Sequence, residues 1–190
     1  RVPTSVPDRA FFAQPEATTA GSPPVFVDGA ALPTLCGARY PSDASLVQRR
    51  TRHLIAKLPA TPVGNVPDGS YQHSIASYRS GHAADWMGEL RQAVRSCPEQ
   101  QSSQGTTSRQ RLLTDRGFGD ESVLFEIRTP FLDANGDPTG DEEIRLIRAI
   151  RVGEVVTVLW EQGWEGSSSE RTQVDDYSRR AVAAIEAWLG

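Results

Sequence analysis

Apolar and polar residues alternate along the second half of the chain in two stretches, 123–131 and 144–152. An alternation with a period of two residues is typical of β-strands that bury one face and expose the other. Gly153 and Glu154 then separate the second stretch from the apolar run 155–160. Because glycine tolerates the positive φ that a type II′ turn needs at its first central position, these two residues predict a hairpin loop. The pattern therefore predicts an antiparallel meander.

Further strands and two helices are predicted around this meander. The first predicted strand has a helix as its alternative, because its apolar residues also fall near helical spacing. Apolar residues recur at helical spacing in two other stretches, and Pro98 ends the first of them. The predicted elements are strands at 46–55, 70–78 and 109–114, and helices at 80–97 and 173–189.

The order β-β-α-β-β-β-β-α indicates an α+β fold. The connections between strands are short enough for antiparallel pairing, and we expect both helices to pack on one face of the sheet. Thr172, with Asp175 three residues later, resembles a capping box that starts the second helix. The inward stripe of the first helix is predicted to be Ala83, Trp86, Met87, Leu90, Val94 and Cys97. That of the second helix is predicted to be Val174, Tyr177, Ala181, Ile185 and Trp188.

Residues 1–30 are rich in proline, alanine and small polar residues. We expect them to be an N-terminal extended segment that follows a removed export or anchor region, that is, a signal peptide. Within this segment, Phe11 and Phe12 predict an apolar plug that docks on the core after a short helical turn. Residues 31–190 are then expected to form one domain, since domains of roughly 100–200 residues are ordinary.

Composition excludes two classes of protein. A hydrophobic fraction of 38% and a charged fraction of 23% suit a globular chain. A net charge of −4 argues against a nucleic-acid partner, because nucleic-acid binders usually carry a basic stripe. No apolar run approaches the roughly 20 residues that span a bilayer, so we expect membrane contact only through the removed N-terminal anchor.

The chain has two cysteines, Cys36 and Cys97. In an exported protein their simplest state is a disulfide, and the alternative is two buried free thiols in a cytosolic protein. Neither lies in a recognisable nucleophile motif, so catalysis by a cysteine is disfavoured.

The loop 133–138 has Asp133, Asn135 and Asp137 at alternate positions, as in the opening of a calcium-binding EF-hand loop. Pro138 replaces the glycine of that motif, and Ile144 replaces its bidentate glutamate. Asn135-Gly136 instead favours a plain hairpin turn. We therefore expect no metal site and no cofactor.

His53, His73 and Trp164 are the candidate ligand-binding residues, all of them weak. The two histidines lie on neighbouring predicted strands and meet only if those strands pair in the right register. Zinc needs three or four convergent ligands, and no cluster completes such a set. Trp164 lies beside Gly163 and Gly166 outside the regular pattern, where it edges a pocket or, more simply, anchors a loop.

The residues Arg-Val-Gly-Glu-Val-Val-Thr-Val at 151–158, followed by the helix 175–189, resemble the end of the actinobacterial PknH-like extracellular sensor family. The stretch 83–91 and the later Cys97 also resemble the central helix and following cysteine of that family, which includes receptor-kinase sensor domains and lipoproteins. The resemblance covers about residues 32–190. It implies an extracytoplasmic α+β domain with a twisted antiparallel sheet, two helices and a cleft between them. The kinase sensor of the family is similar to a doubly disulfide-bonded domain, whereas this chain has two cysteines and no kinase segment, which favours a lipoprotein or secreted form.

The function expected from these patterns is a non-catalytic, extracytoplasmic ligand-binding or sensor-type domain. Its partner would be a small molecule or a cell-envelope component, held between the helices and the sheet. One alternative is a small hydrolase or isomerase, for which two titratable groups should converge in one cleft. Another is a protein–protein interaction domain, for which a large exposed apolar patch is typical.

Overall fold

The computed structural model describes residues 1–102 and 105–190, and these residues form eight β-strands and two α-helices. The strands are β1 (Val25–Val27), β2 (Leu46–Ala56), β3 (Gly69–Tyr78), β4 (Glu99–Gln101), β5 (Thr107–Leu113), β6 (Glu121–Leu132), β7 (Pro138–Val152) and β8 (Val155–Glu161). The helices are α1 (His82–Arg95) and α2 (Arg171–Leu189). Short 3-10 turns lie at Asp8–Ala10, Glu16–Thr18 and Pro41–Ser45.

All of these strands belong to one antiparallel sheet with the order β1-β2-β3-β8-β7-β6-β5-β4. The predicted α+β class and the antiparallel meander are confirmed, and β2 is a strand rather than a helix. The sequence pattern missed β1 and β4, the two edge strands. Each has three residues, which is too short to display a period of two.

The two helices pack on opposite faces of the sheet, so the prediction that both cover one face is wrong. Ile147 and Ala149 of β7 pack in the same apolar cluster as the buried stripe of α1. The neighbouring Leu146 packs with α2, and Arg148 donates a hydrogen bond to Ser178 of α2. Successive side chains of a strand point to opposite faces. Each face of the meander is therefore covered by its own helix.

The stripes of both helices are largely as predicted. Ala83, Trp86, Met87, Leu90 and Val94 are buried under α1, and Val174, Tyr177, Ala181 and Ile185 are buried under α2. Trp188, near the chain end, is only partly buried. The predicted capping box is wrong, because the cap residue of α2 is Glu170, which makes no side-chain cap, and Asp175 accepts a hydrogen bond from Arg148 instead.

The N-terminal segment packs over β2, β3 and α2. Phe11 and Phe12 are buried and follow the 3-10 turn at Asp8–Ala10, which confirms the predicted apolar plug. Phe12 packs in one cluster with Tyr177, and Phe11 in another with Ile185. We call residues 6–19 the N-terminal strap.

Cys36 and Cys97 form a disulfide, with Cα atoms 5.7 Å apart, as predicted. The bridge ties the loop before β2 to the residue that follows α1 by two positions. In the part of the chain that the structure describes, no helix is long and apolar enough to cross a membrane.

Candidate functional site

The structure separates His53 from His73. The register of β2 and β3 pairs His53 with Gln72 and Arg52 with His73. Paired residues share a face of the sheet, whereas neighbours along a strand do not. His53 is therefore on the face opposite His73, and the two cannot share a ligand.

Trp164 lies in the loop between β8 and α2 and is half-buried. Its backbone N–H donates to Ser167 Oγ at 2.9 Å, and Ser167 Oγ donates to the carbonyl of Asp68 at 2.8 Å. The preceding Gly163 has a φ of 69°, and a Cβ there would collide with the guanidinium of Arg145. These contacts make Trp164 part of a loop anchor.

The loop 133–138 is a hairpin turn between β6 and β7, as predicted. Asp133 Oδ1 accepts from the N–H groups of Asn135 at 2.8 Å and Asp137 at 3.0 Å, and Gly136 has a φ of 85°. Across residues 1–102 and 105–190, no group of three or more His, Cys, Asp or Glu side chains is placed to hold a metal ion.

His73 lies in the middle of β3 and is fully buried. Its Nε2 is 2.9 Å from Thr157 Oγ1, and Thr157 Oγ1 donates to the carbonyl of Ser74 at 2.9 Å. Because a hydroxyl has one proton and Thr157 gives it to Ser74, the proton between His73 and Thr157 belongs to Nε2. His73 Nδ1 is then a bare acceptor, and it has no hydrogen-bond partner.

Arg52 is the cross-strand neighbour of His73 and is only 7% exposed. Its Nη2 donates to the carbonyl of Phe12 at 2.8 Å, while its Nε has no partner. The guanidinium lies over the rings of Phe12, at 4.7 Å, and Phe11, at 5.3 Å. Burial lowers the pKa of Arg52 to about 10, so the group is still a cation at neutral pH.

The strap and α2 close this site. The ring centres of Phe11 and Phe12 lie 5.2 and 5.4 Å from that of His73. Phe12 also packs on Tyr177 at 5.0 Å, and Tyr177 Oη is 2.8 Å from Thr18 Oγ1. We call the enclosed group of Arg52, His73, Thr157 and Tyr177 the covered site.

The covered site holds an unpaired donor, Arg52 Nε, and an unpaired acceptor, His73 Nδ1. Buried polar groups are nearly always hydrogen-bonded, and an unpaired one costs about 1–3 kcal/mol. Burial, and next the positive charge of Arg52, lower the pKa of His73 well below its usual value, so the imidazole is neutral. The site therefore has one N–H without an acceptor, on Arg52, and one ring nitrogen without a donor, on His73.

A pH titration tests whether His73 is neutral in the native state. Its pKa is lower in the folded than in the unfolded chain, so only the unfolded chain gains a proton as the pH falls below about 6.5. We expect the wild type to lose about 1.4 kcal/mol per pH unit more than His73→Phe between about pH 6 and pH 5. Urea unfolding at each pH measures this difference, and parallel stability curves for the two proteins would contradict it.

Reasoning from sequence found His73 but missed Arg52, Thr157 and Tyr177. In the sequence, the arginines at 49, 50 and 52 are typical of a solvated strand face. Alternation alone places Arg52 on the same face as Leu54, which is fully buried, so a signal for a buried arginine was available. Its pairing with His73 depends on the strand register, which no local pattern gives.

Comparisons of the chain with protein-family models, with curated proteins and with solved structures found no match. The resemblance to the PknH-like sensor family therefore stays a prediction, carried by the short motifs at 83–91 and 151–158.

Proposed function

We propose that the protein is a non-catalytic ligand-binding or sensor-type domain that works outside the cytoplasm. Its ligand would bind in the covered site, between α2 and the sheet, after the strap moves away. The unpaired Arg52 Nε and His73 Nδ1, enclosed by aromatic rings, carry this proposal. The apolar rings that fill the site in the closed protein leave both groups unsatisfied, whereas a polar ligand can pair both.

The disulfide supports a location outside the cytoplasm. Cys36–Cys97 is the only cysteine pair of the chain, and both cysteines are used in it. Such bonds persist in secreted and extracytoplasmic proteins and are rare where thiols are kept reduced. The protein then meets its ligand in the cell envelope or outside the cell, as the resemblance to a sensor family also implies.

The way in which the strap is attached supports a site that opens. Among the described residues, the strap before Thr18 is joined to the sheet only through side chains. Arg50 donates to the carbonyl of Val6 at 2.9 Å, and Gln14 Nε2 donates to the carbonyl of Ile55 at 2.8 Å. The first backbone–backbone bond is donated by Lys57 N, one residue beyond the end of β2, to Thr18 O, at 2.9 Å. Side-chain attachments of this kind can be exchanged for a ligand without breaking a strand ladder.

The chemistry of the covered site favours binding over turnover. General acid–base catalysis needs an acid or base within hydrogen-bond reach of the reacting group, and a second group often completes it. In the described part of the chain no carboxylate is bonded to His73, and burial lowers the pKa of this imidazole well below its usual value, which makes it a weak base. The buried carboxylate of Glu161 instead accepts from the loop that holds Trp164, through Gly163 N and Ser169 Oγ.

A thermal-shift screen against small envelope metabolites tests the proposal. A ligand present at 100 times its Kd should stabilise the native state by about 2.7 kcal/mol, which raises the Tm of a chain of this size by roughly 5–10 °C. Adding the same compound should not change the Tm of the Arg52→Gln variant. It should raise the Tm of the His53→Gln variant, whose substitution is on the opposite face of the sheet, by as much as it raises that of the wild type. A library in which no compound acts on the wild type, or a hit that is chemically converted, would contradict non-catalytic binding.

A further inference from the structure

The Nε–Nη2 edge of Arg52 is a half-filled carboxylate site. On this edge a guanidinium presents two parallel N–H donors, whose spacing matches the two oxygens of a carboxylate. In the closed protein one carbonyl, that of Phe12, accepts from Nη2 alone, and Nε is left without a partner. A carbonyl has one oxygen, so the strap cannot satisfy both donors.

The Nε–Nη2 edge of another buried arginine of this chain, Arg148, does hold a carboxylate. Its Nε donates to Asp115 Oδ2 at 3.1 Å and its Nη2 donates to Asp115 Oδ1 at 2.9 Å. Both guanidiniums are buried and lie over a phenylalanine ring, Phe118 for Arg148 and Phe12 for Arg52. The difference is the carboxylate, which Arg52 does not receive from the described part of the chain.

We propose that the covered site binds an organic carboxylate with an apolar, preferably aromatic, body and a hydroxyl next to the carboxyl group. The carboxylate takes the Nε–Nη2 edge of Arg52 and replaces the carbonyl of Phe12. The apolar body takes the place of the Phe11 and Phe12 rings against His73 and Tyr177. The hydroxyl donates to His73 Nδ1, the cross-strand neighbour of Arg52. This assignment rests on the proposed function and names its class of ligand.

The strap and the ligand then compete for one guanidinium edge. The apparent affinity of such a site equals its intrinsic affinity reduced by the fraction of molecules in which the strap is open. A substitution that loosens the strap without touching the covered site should therefore lower the stability of the free protein and tighten ligand binding. Substitution of a residue that only stabilises the fold would lower the stability of the free protein without tightening ligand binding.

Three small probes test the ligand class with the unmodified protein. Mandelate has the carboxylate, the hydroxyl and an aromatic body, phenylacetate lacks the hydroxyl, and mandelamide lacks the charge. By calorimetry we expect mandelamide to bind about 10- to 100-fold more weakly than mandelate, because it loses a charged, two-point contact. We expect phenylacetate to bind roughly 2- to 10-fold more weakly than mandelate, because it leaves His73 Nδ1 unpaired.

Variants then locate the effect. Arg52→Lys keeps the positive charge but loses the two parallel N–H donors, and it should weaken mandelate binding about tenfold. Arg109 is an exposed arginine of β5, and Arg109→Lys should leave mandelate binding unchanged. Gln48→Ala removes the acceptor of the Val6 N–H at the start of the strap and should lower the Tm of the free protein while tightening mandelate binding several-fold.

The outcomes separate this inference from the proposed function. Equal binding of mandelate and mandelamide would overturn the carboxylate assignment, and equal binding of mandelate and phenylacetate would overturn the role of His73. In either case ligand binding at the covered site would stand. If no probe and no library compound binds either the wild type or Gln48→Ala, both the ligand class and the proposed function are wrong.

Discussion

Arg148→Met is expected to lower the free energy of unfolding by about 3–5 kcal/mol. Arg148 is fully buried, and it is bonded to Asp115 on one side and to Asp175, at 2.7 Å, on the other. Methionine fills much of the volume but leaves two carboxylates without their shared cation. Removing one partner of a buried ion pair costs far more than removing the whole group, because the remaining charges stay desolvated. Urea unfolding of the two proteins measures the difference.

Arg180→Met is the matched control. Arg180 is also paired with an aspartate, Asp176 at 2.9 Å, but the pair is on the exposed side of α2. Exposed pairs four residues apart on a helix contribute about 0.3–0.5 kcal/mol. Adding Asp115→Asn and Asp175→Asn to Arg148→Met should restore part of the lost stability, since the uncompensated charges are then gone. If Arg148→Met and Arg180→Met lower the free energy of unfolding equally, the buried cluster contributes no more to stability than an exposed ion pair.

Arg148 also shows where the sequence pattern stops being informative. Period-two alternation predicts the meander, but Ile147 and Arg148 do not follow it within 144–152. Ile147 is apolar because the α1 face of β7 is also covered, and Arg148 is buried on the α2 face because Asp115 and Asp175 pair with it. An alternating strand indicates one buried face, but a strand with both faces buried reads as a nearly continuous apolar run. The stretch 144–152 shows neither pattern in full, because Arg145, Arg148 and Arg151 interrupt its apolar residues, so its sequence does not show that both faces are covered.

The candidate site was predictable only in part, for a related reason. The adjacent aromatic residues Phe11 and Phe12 predict an apolar plug, and residue type alone makes His73 a candidate. What the plug covers depends on the register of β2 and β3, which sets Arg52 opposite His73. Register is fixed by the packing of whole faces and not by local composition. Alternation with Leu54 indicates that Arg52 faces inward, but nothing local to the sequence pairs Arg52 with His73.

Loss of the disulfide is expected to be the other large effect. The bridge joins positions 61 residues apart, and closing a loop of that length stabilises the native state by about 4 kcal/mol in the chain-entropy model. Cys36→Ala is the cleaner variant, because Cys36 is exposed and its sulfur contributes little packing, whereas Cys97 is fully buried. For a chain of this size, we expect the Tm to fall by roughly 8–16 °C.

The loss should come from the unfolded chain and leave the native site intact. Cys36 N still donates to Gln100 Oε1 at 2.8 Å, and Gln100 Nε2 donates to the carbonyl of Thr34 at 2.7 Å, so this loop keeps polar attachments without the bridge. Freed of its cross-link, the unfolded chain expands, and the urea m-value should rise together with the loss of stability.

Mandelate affinity, measured well below the new Tm, should match that of the wild type, because the bridge lies among the residues packed under α1 while the covered site lies under α2. A tenfold loss of affinity in Cys36→Ala would show instead that the bridge shapes the covered site across the sheet, and an unchanged Tm would show that the loop closure contributes nothing.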